Sequence, residues 1–348
     1  FSALLDELEL PSRPTEMSFS VSCRSTGLEY SGHSLATLFA QRRNFFRPSF
    51  HRLLLEILRF NRYAKAWIQR GGSQATLGQV LAEGSFSEEL ARLYLLPMGA
   101  AIWSGTRAGI LQFPAAFFLR FLDNHGLLDL ADRPQWRTLI GGSRVYVDRL
   151  RKVLGESVHL STPVQGIRRH EGGVEIALAE GRWRTFERVI LATHADQALA
   201  LLEDPTPEER EVLTALPFQD NEVILHTDTS LLPRCRRAWA SWNYALGEDP
   251  EIPVTVTYNL NILQGLQAPE TFCVSLNPER EIDPSRVLRR FRFSHPQYTL
   301  DGEEARAKKG LLDGRRRTYY CGAYWGAGFH EDGVVSALEV CRLLGAGE

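Results

Sequence analysis

The segment that most limits what this chain can fold into lies near its C-terminal end, residues 317–345 (RTYYCGAYWGAGFHEDGVVSALEVCRLLG). Thr318–Cys321 is a short aromatic run with the residue types of a strand. Gly322, Gly326, Gly328 and Gly333 then punctuate a turn, and apolar residues recur at helical spacing from about Val334 to Leu344. Strand, glycine turn and helix in that order let backbone approach a large ligand closely and aim unpaired N–H groups at its electron-rich atoms. The segment therefore reads as one wall of a ligand site.

The remaining composition narrows the setting. A chain of 348 residues can bury a large core and is expected to divide into two folding regions. Forty basic and 42 acidic residues give a formal charge of -2, which excludes the strongly basic class of nucleic-acid binders. Short basic runs at Arg234, Arg236 and Arg237 and at Arg315–Arg317 read as solvated faces or loops. Cys23, Cys235, Cys273, Cys321 and Cys341 are odd in number and widely spaced, as expected of reduced thiols in a cytoplasmic compartment rather than of a disulfide frame or a zinc site. The longest apolar run, Phe113–Leu122, is about half of what a spanning helix needs and is interrupted by Arg120, so no transmembrane segment is expected.

Along the chain, Ser2–Glu9 reads as a short helix stopped by Pro11 and Pro14, and residues 17–23 and 27–30 as a hairpin. Residues 34–69, 87–95 and 114–122 carry helical patterns, giving a mostly helical subdomain. After Gly141 and Gly142 the style changes: a helix capped by Ser143, a strand over Ser157–Thr162, and a hairpin from Val164–His170 and Val174–Leu178. A buried strand at Val189–Thr193 follows. Four further strands are expected at Glu222–His226, Ala238–Tyr244, Val254–Asn259 and Thr271–Leu276, with another extended stretch at Val287–Phe293. The final strand, turn and helix return to the α/β style of residues 141–202.

Cys321–Gly333 (CGAYWGAGFHEDG) followed by a helix resembles the C-terminal FAD-binding segment of flavin-containing amine oxidoreductases, and looks closest to the bacterial branch of predicted NAD/FAD-binding oxidoreductases. Thr15–Val21, Gly27–Ser31, Phe39–Asn44, Pro97–Ser104, Trp136–Gly142 and Val256–Asn261 match that branch as well. The resemblance implies an α/β fold in which an incomplete FAD/NAD(P)-binding Rossmann-like domain (1–12, 135–212 and 312–348) is interleaved with an α+β substrate domain (13–134 and 213–311). Members normally open with a strand and a Gly-x-Gly-x-x-Gly turn that holds the FAD pyrophosphate. The glycines at 322, 326 and 328 do not have that spacing. The expectation is thus an N-terminally truncated sequence that lacks its first βαβ unit, and a fragment that is inactive alone. Ala323 stands where related flavoproteins carry an acidic residue, which weakens the analogy with amine oxidases more than the FAD assignment.

On this resemblance the cofactor is FAD, with contacts expected from Val164 (adenine), Thr193, Gly322, Ala323, Gly326, Gly328, Gly333, Val334 and Val335. Val334 and Val335 are expected to turn first-turn amides toward the isoalloxazine. Tyr258, Asn259, Tyr324, Trp325 and His330 are the candidates for a substrate pocket. His330, Glu331 and Asp332 lack the His-Glu-x-x-His pattern and do not form a metal site. No nucleophile elbow or catalytic base stands out. The implied chemistry is hydride transfer from a small organic substrate, apolar or amine-bearing, to flavin N5. Two alternatives stay open: a flavin-dependent desaturase or isomerase of acyl or isoprenoid chains, and a non-catalytic remnant lacking the pyrophosphate-binding turn. The apolar stretches Pro97–Trp103 and Phe113–Phe118 hint at a lipid-like substrate and leave peripheral contact with a membrane open.

Overall fold

In a computed structural model that describes residues 1–72, 74–129, 134–247, 255–278 and 280–346, the chain forms an α/β fold of two units. The first gathers Phe1–Pro11, Ser143–Phe218 and Pro296–Glu348, and the second Ser12–Gly142 and Gln219–His295. These limits differ from the expected divisions. Arg137–Leu139 pairs with Ser12–Pro14 and so belongs to the second unit, whereas Leu213, Leu216 and Ala305 sit in the core of the first.

In the first unit Thr318–Tyr320 runs parallel to Val189–Leu191, with Tyr320 opposite Leu191. Val164–His170, Gly173–Leu178 and Trp183–Phe186 form an antiparallel meander beside a core that includes Ile167, Val174, Leu191, Ala198, Val212 and Tyr320. No strand forms over the expected Ser157–Thr162. A 3-10 turn occupies Gly155–Ser157, and Ser161 has a φ of 52°, which no extended path allows. One buried node ties these elements together. Arg169 Nη2 donates to Glu209 Oε2 at 2.8 Å and Arg169 Nε to Asp204 at 3.1 Å, and the Tyr320 hydroxyl donates to Glu209 at 2.7 Å. Burial alone would raise the Glu209 carboxyl. Hydrogen bonds from Arg169, the Thr206 N–H and Tyr320 outweigh it and hold the group below the usual carboxylate range.

The second unit is built on a seven-stranded mixed sheet. Its order is Val287–Pro296, Phe218–His226, Cys273–Leu276, Thr255–Asn259, Trp242–Leu246, Phe19–Cys23 and Leu28–Ser31. Val254, expected to start the Thr255–Asn259 strand, lies outside the described residues. Alternation puts polar side chains of successive strands side by side on one face. Ser20 Oγ donates to Asn243 Oδ1 at 2.8 Å, Asn243 Nδ2 to the Thr257 carbonyl at 3.0 Å, and the Thr257 and Ser275 hydroxyls are 2.7 Å apart. His226 Nε2 ends the ladder at 2.8 Å from Ser275 Oγ. Each polar group in this closed row has a partner, as burial requires.

Helices make up the rest of the unit. Pro48 opens Pro48–Gln69 at the position where a missing N–H costs nothing, and Leu53, Phe60, Ala64 and Trp67 give that helix its buried stripe. Gly99 lies in Leu96–Trp103, where an added Cβ would come 2.8 Å from the Phe118 ring. Trp103 packs on Phe113 and Phe121 at centroid separations of 5.1 and 4.8 Å. The apolar stretches that hinted at a lipid-like substrate are packed into this helical core, so they do not argue for one.

Candidate functional site

Two parallel strands end side by side in the first unit, and parallel strands gather ligands beyond their carboxyl ends. The Cys321 N–H still reaches the Leu191 carbonyl at 3.0 Å. Thr193 follows one strand and Gly322–Ala323 the other, both partly exposed. The C-terminal helix is fixed against this end by Ser336, whose Oγ accepts the Gly322 N–H at 2.9 Å and donates to the Gly333 carbonyl at 3.0 Å. Gly333 therefore faces Ala323. A Cβ built on Gly333 would meet nothing nearer than Ala323 Cβ at 3.9 Å, so the fold itself does not require glycine there. Glycine in a helix costs about 1 kcal/mol relative to alanine. Bare backbone maintained at that cost, beside a small side chain and at the mouth of a parallel strand pair, fits the edge of a flat ring system.

The other turn glycines have internal reasons. Gly322, at φ 151°, lies under the Tyr324 ring, where a Cβ would come within 2.7 Å of a ring carbon. At Gly326 the added Cβ would fall 2.3 Å from Asp332 Oδ1, and at Gly328, with φ 92°, 3.0 Å from the Tyr298 hydroxyl oxygen. Trp325, Gly326 and Val335 border a different chamber, a cleft of about 540 Å³ along the helix that also takes in Lys309, Asp313 and Glu339. Lys309 is paired there with Asp313 at 2.7 Å and Glu339 at 3.4 Å, which marks the cleft as a charged surface and not the flat wall.

The helix begins at His330, four residues before the expected Val334, because Asp332 Oδ2 takes the Phe329 N–H at 2.9 Å. This corrects the assignment of free amides to Val334 and Val335. Those residues lie beyond the first turn, and the amides without an intrahelical partner belong to His330, Glu331 and Asp332. Tyr324, one of the substrate-pocket candidates, sits in the core cluster of the first unit. It is 5% exposed, packs edge-on against Phe218 at 5.7 Å, and burial pushes its hydroxyl pKa up. The His330 ring lies tilted against Phe1 at a centroid separation of 4.9 Å, and its Nδ1 lies 3.3 Å from the Tyr146 hydroxyl. Val164 pairs with Leu178 at the start of the meander, next to a register shift before Gly166 that bends the strand.

Tyr258 and Asn259 belong to the second unit. Asn259 is buried and caps Leu260–Leu263 by accepting the Ile262 N–H at 3.2 Å, a structural task. Tyr258 donates to the Ala101 carbonyl at 3.3 Å and meets Trp242 edge-on at 5.3 Å, and burial pushes its hydroxyl pKa up. Ser143 makes no side-chain cap on its helix. Sequence spacing gives no sign of the Ser104–His295 pair, whose Oγ and Nδ1 are 2.9 Å apart. Ser104 is buried at φ 57°, and its carbonyl receives Gln219 Nε2 at 3.1 Å, so the pair closes the end of a helix and presents no nucleophile.

Among the described residues no group of three or more His, Cys, Asp or Glu is placed to hold a metal ion, and no helix is long and apolar enough to cross a membrane. All five cysteines are free thiols. No curated protein matches the sequence. Solved structures match nearly all of it in fold. They include cyclohexylamine oxidase from Brevibacterium oxydans IH-35A, with 14% identity over 99% of this chain and 85% of that one and a TM-score of 0.64. A fatty acid isomerase from P. acnes that produces CLA has 13% identity, 98% and 83% coverage and a TM-score of 0.68. Reduced UDP-galactopyranose mutase has 12% identity, 99% and 80% coverage and a TM-score of 0.66. The family described as flavin containing amine oxidoreductase matches residues 2–237, a stretch that ends before the glycine turn. Since that match takes in more than half of the sequence, and does so without the segment that first suggested it, the chain belongs to the flavin-containing amine oxidoreductase family.

Proposed function

We propose that the protein is an FAD-dependent oxidoreductase acting on a small organic substrate, apolar or amine-bearing, and that the first unit supplies the wall against which the flavin ring lies. The observation that carries this reading is the bare Gly333 backbone facing Ala323 where two parallel strands end. When bound, FAD supplies the two-electron acceptor, with hydride arriving at N5. The chain's own part is positional and electrostatic. Ser336 fixes the distance between the Gly322–Ala323 turn and the helix, so the ring would meet a surface that does not reorganise. The positive end of the helix favours negative charge close to its first turn by roughly 0.3 to 2 kcal/mol. Thr193, two residues past the end of the neighbouring strand, would hold the pyrophosphate or adenosine half of the cofactor, and Val164 would offer backbone groups to the adenine.

The test is the protein expressed from its complete natural reading frame. It should purify yellow or take up FAD to give absorbance at about 450 nm, and anaerobic addition of amines or fatty acyl compounds should bleach it. Gly333→Leu should remove the colour while leaving the fold intact by circular dichroism. A well-folded product that stays colourless in excess FAD sinks the proposal.

A further inference from the structure

The second unit holds a separate cavity of about 190 Å³, room for roughly six waters, which is the size of a small phosphate ester. Arg24, Arg43, Arg234 and Arg280 line it, brought together from four distant stretches of sequence. Glu29 is the one carboxylate among its described lining residues. That carboxylate is turned to backbone: its oxygens accept the Arg234 and Cys235 N–H groups, both at 2.9 Å, and Gln41 Nε2 at 3.3 Å. None of the four guanidiniums has a carboxylate partner among the described residues. Arg43 bonds the Gly27 carbonyl, and Arg280 bonds the Ser230 carbonyl at 3.2 Å. The Arg24 and Arg234 side chains have no acceptor among the described residues.

Four guanidiniums against one carboxylate leave a surplus of three positive charges around a small volume. Such crowding is unfavourable until an anion enters, and a dianion offsets it better than a monocarboxylate. The guanidinium fork also matches phosphoryl oxygens in pairs, which an ammonium cannot do. Two arginines are oriented by neutral carbonyls, and the other two are left over as donors.

We propose that this cavity binds a phosphoryl group, either as inorganic phosphate or on a small ester. The cavity lies within the second unit, so the proposal stands independently of the flavin reading. Isothermal titration of the full-length protein with inorganic phosphate and, separately, glycerol phosphate tests it, with acetate as the monoanion control. Saturable binding of either phosphoryl compound is expected, with acetate much weaker. Arg24→Ala and Arg234→Ala should each weaken binding about tenfold, and Arg→Lys at the same positions less. Both side chains are exposed, so without phosphate the melting temperature of the variants should stay the same or rise as repulsion is relieved. Which compound binds more tightly separates a free-anion site from an ester site. Failure of both to saturate, acetate binding as tightly as phosphate, or full affinity in the double variant would overturn the proposal.

Discussion

The Arg169 node is tied to the strand Thr318–Tyr320 and the Gly333 wall to the turn that follows it, and they treat polar groups in opposite ways. At the node every charge is met: Arg169 reaches Asp204, Glu209 and Thr318, and Tyr320 adds its hydroxyl to Glu209. At the wall the chain keeps a glycine that no neighbour requires and leaves the first helical amides without intrahelical partners. Saturation marks a part of the molecule that maintains the fold. Unused capacity marks a part that faces something else.

Removing one partner from the node should have the largest effect. Arg169→Ala leaves Glu209 buried and unpaired, a change that typically costs about 3 to 5 kcal/mol, read as a shift of the urea midpoint. Tyr320→Phe should cost less, because Arg169 still holds the carboxylate. The pH dependence follows from the sign of the shift. Glu209 has a folded pKa below its unfolded value, so its stabilising share is complete above about pH 4.3 and is lost as pH falls through the folded value. Wild type should therefore lose more stability than Arg169→Ala on acidification. Equal acid sensitivity would show that the node does not set the fold's charge balance.

Gly326→Ala comes next. The new Cβ would displace Asp332 from the Phe329 N–H, so the expected cost is that of a lost helix cap, about 1 kcal/mol with some added crowding. Combined with Asp332→Ala, the two losses should overlap and not add, which a double-mutant cycle in thermal melts would show. Gly333→Ala sharpens the contrast most, because its two effects have opposite signs. Without cofactor the variant should be more stable by up to about 1 kcal/mol, while flavin occupancy should fall about tenfold as the methyl group fills the approach surface. A gain in stability with no loss of flavin would mean that Gly333 faces solvent alone.

Local signals in the sequence carry the strand, turn and helix of the C-terminal segment and little of the node. The strand at Thr318, the turn glycines and the following helix are each set by near neighbours, so periodicity and glycine placement were enough to find them. The helix starts before the expected Val334 although its signal is in the sequence: Asp332 stands three residues after Phe329, where a side chain can reach back to the cap amide. Ser157–Thr162 has strand-like residues, but the backbone at Ser161 turns left-handed and ends any extended run. Arg169 and Glu209 are 40 residues apart, and the four cavity arginines span residues 24 to 280. Such sites exist only after the sheets form, and no spacing in one sequence announces them. Asn259 and Tyr324 show what residue type leaves out: a polar or aromatic side chain near a motif suggests a pocket lining, while in the structure one caps a helix and the other packs in a core.

The smallest effect probes a saturated site in the second unit. His226 is fully buried, its Nδ1 accepts the Asp228 N–H at 3.1 Å, and it must then carry its proton on Nε2, toward Ser275. Burial lowers its pKa, and the neighbouring Asp228 carboxylate only partly opposes this. A histidine whose folded value lies below the unfolded value of about 6.5 destabilises the fold as pH falls from there, because the unfolded chain takes up a proton that the folded chain refuses. The slope for one unmatched proton is at most about 1.4 kcal/mol per pH unit. His226→Gln keeps a donor and an acceptor but cannot titrate, so its unfolding free energy should fall less steeply than that of wild type between about pH 6.5 and 5. Parallel curves would mean that the imidazole is already protonated in the ladder. Asp228 N–H would then have lost its acceptor, and the polar ladder of the second unit would no longer be saturated.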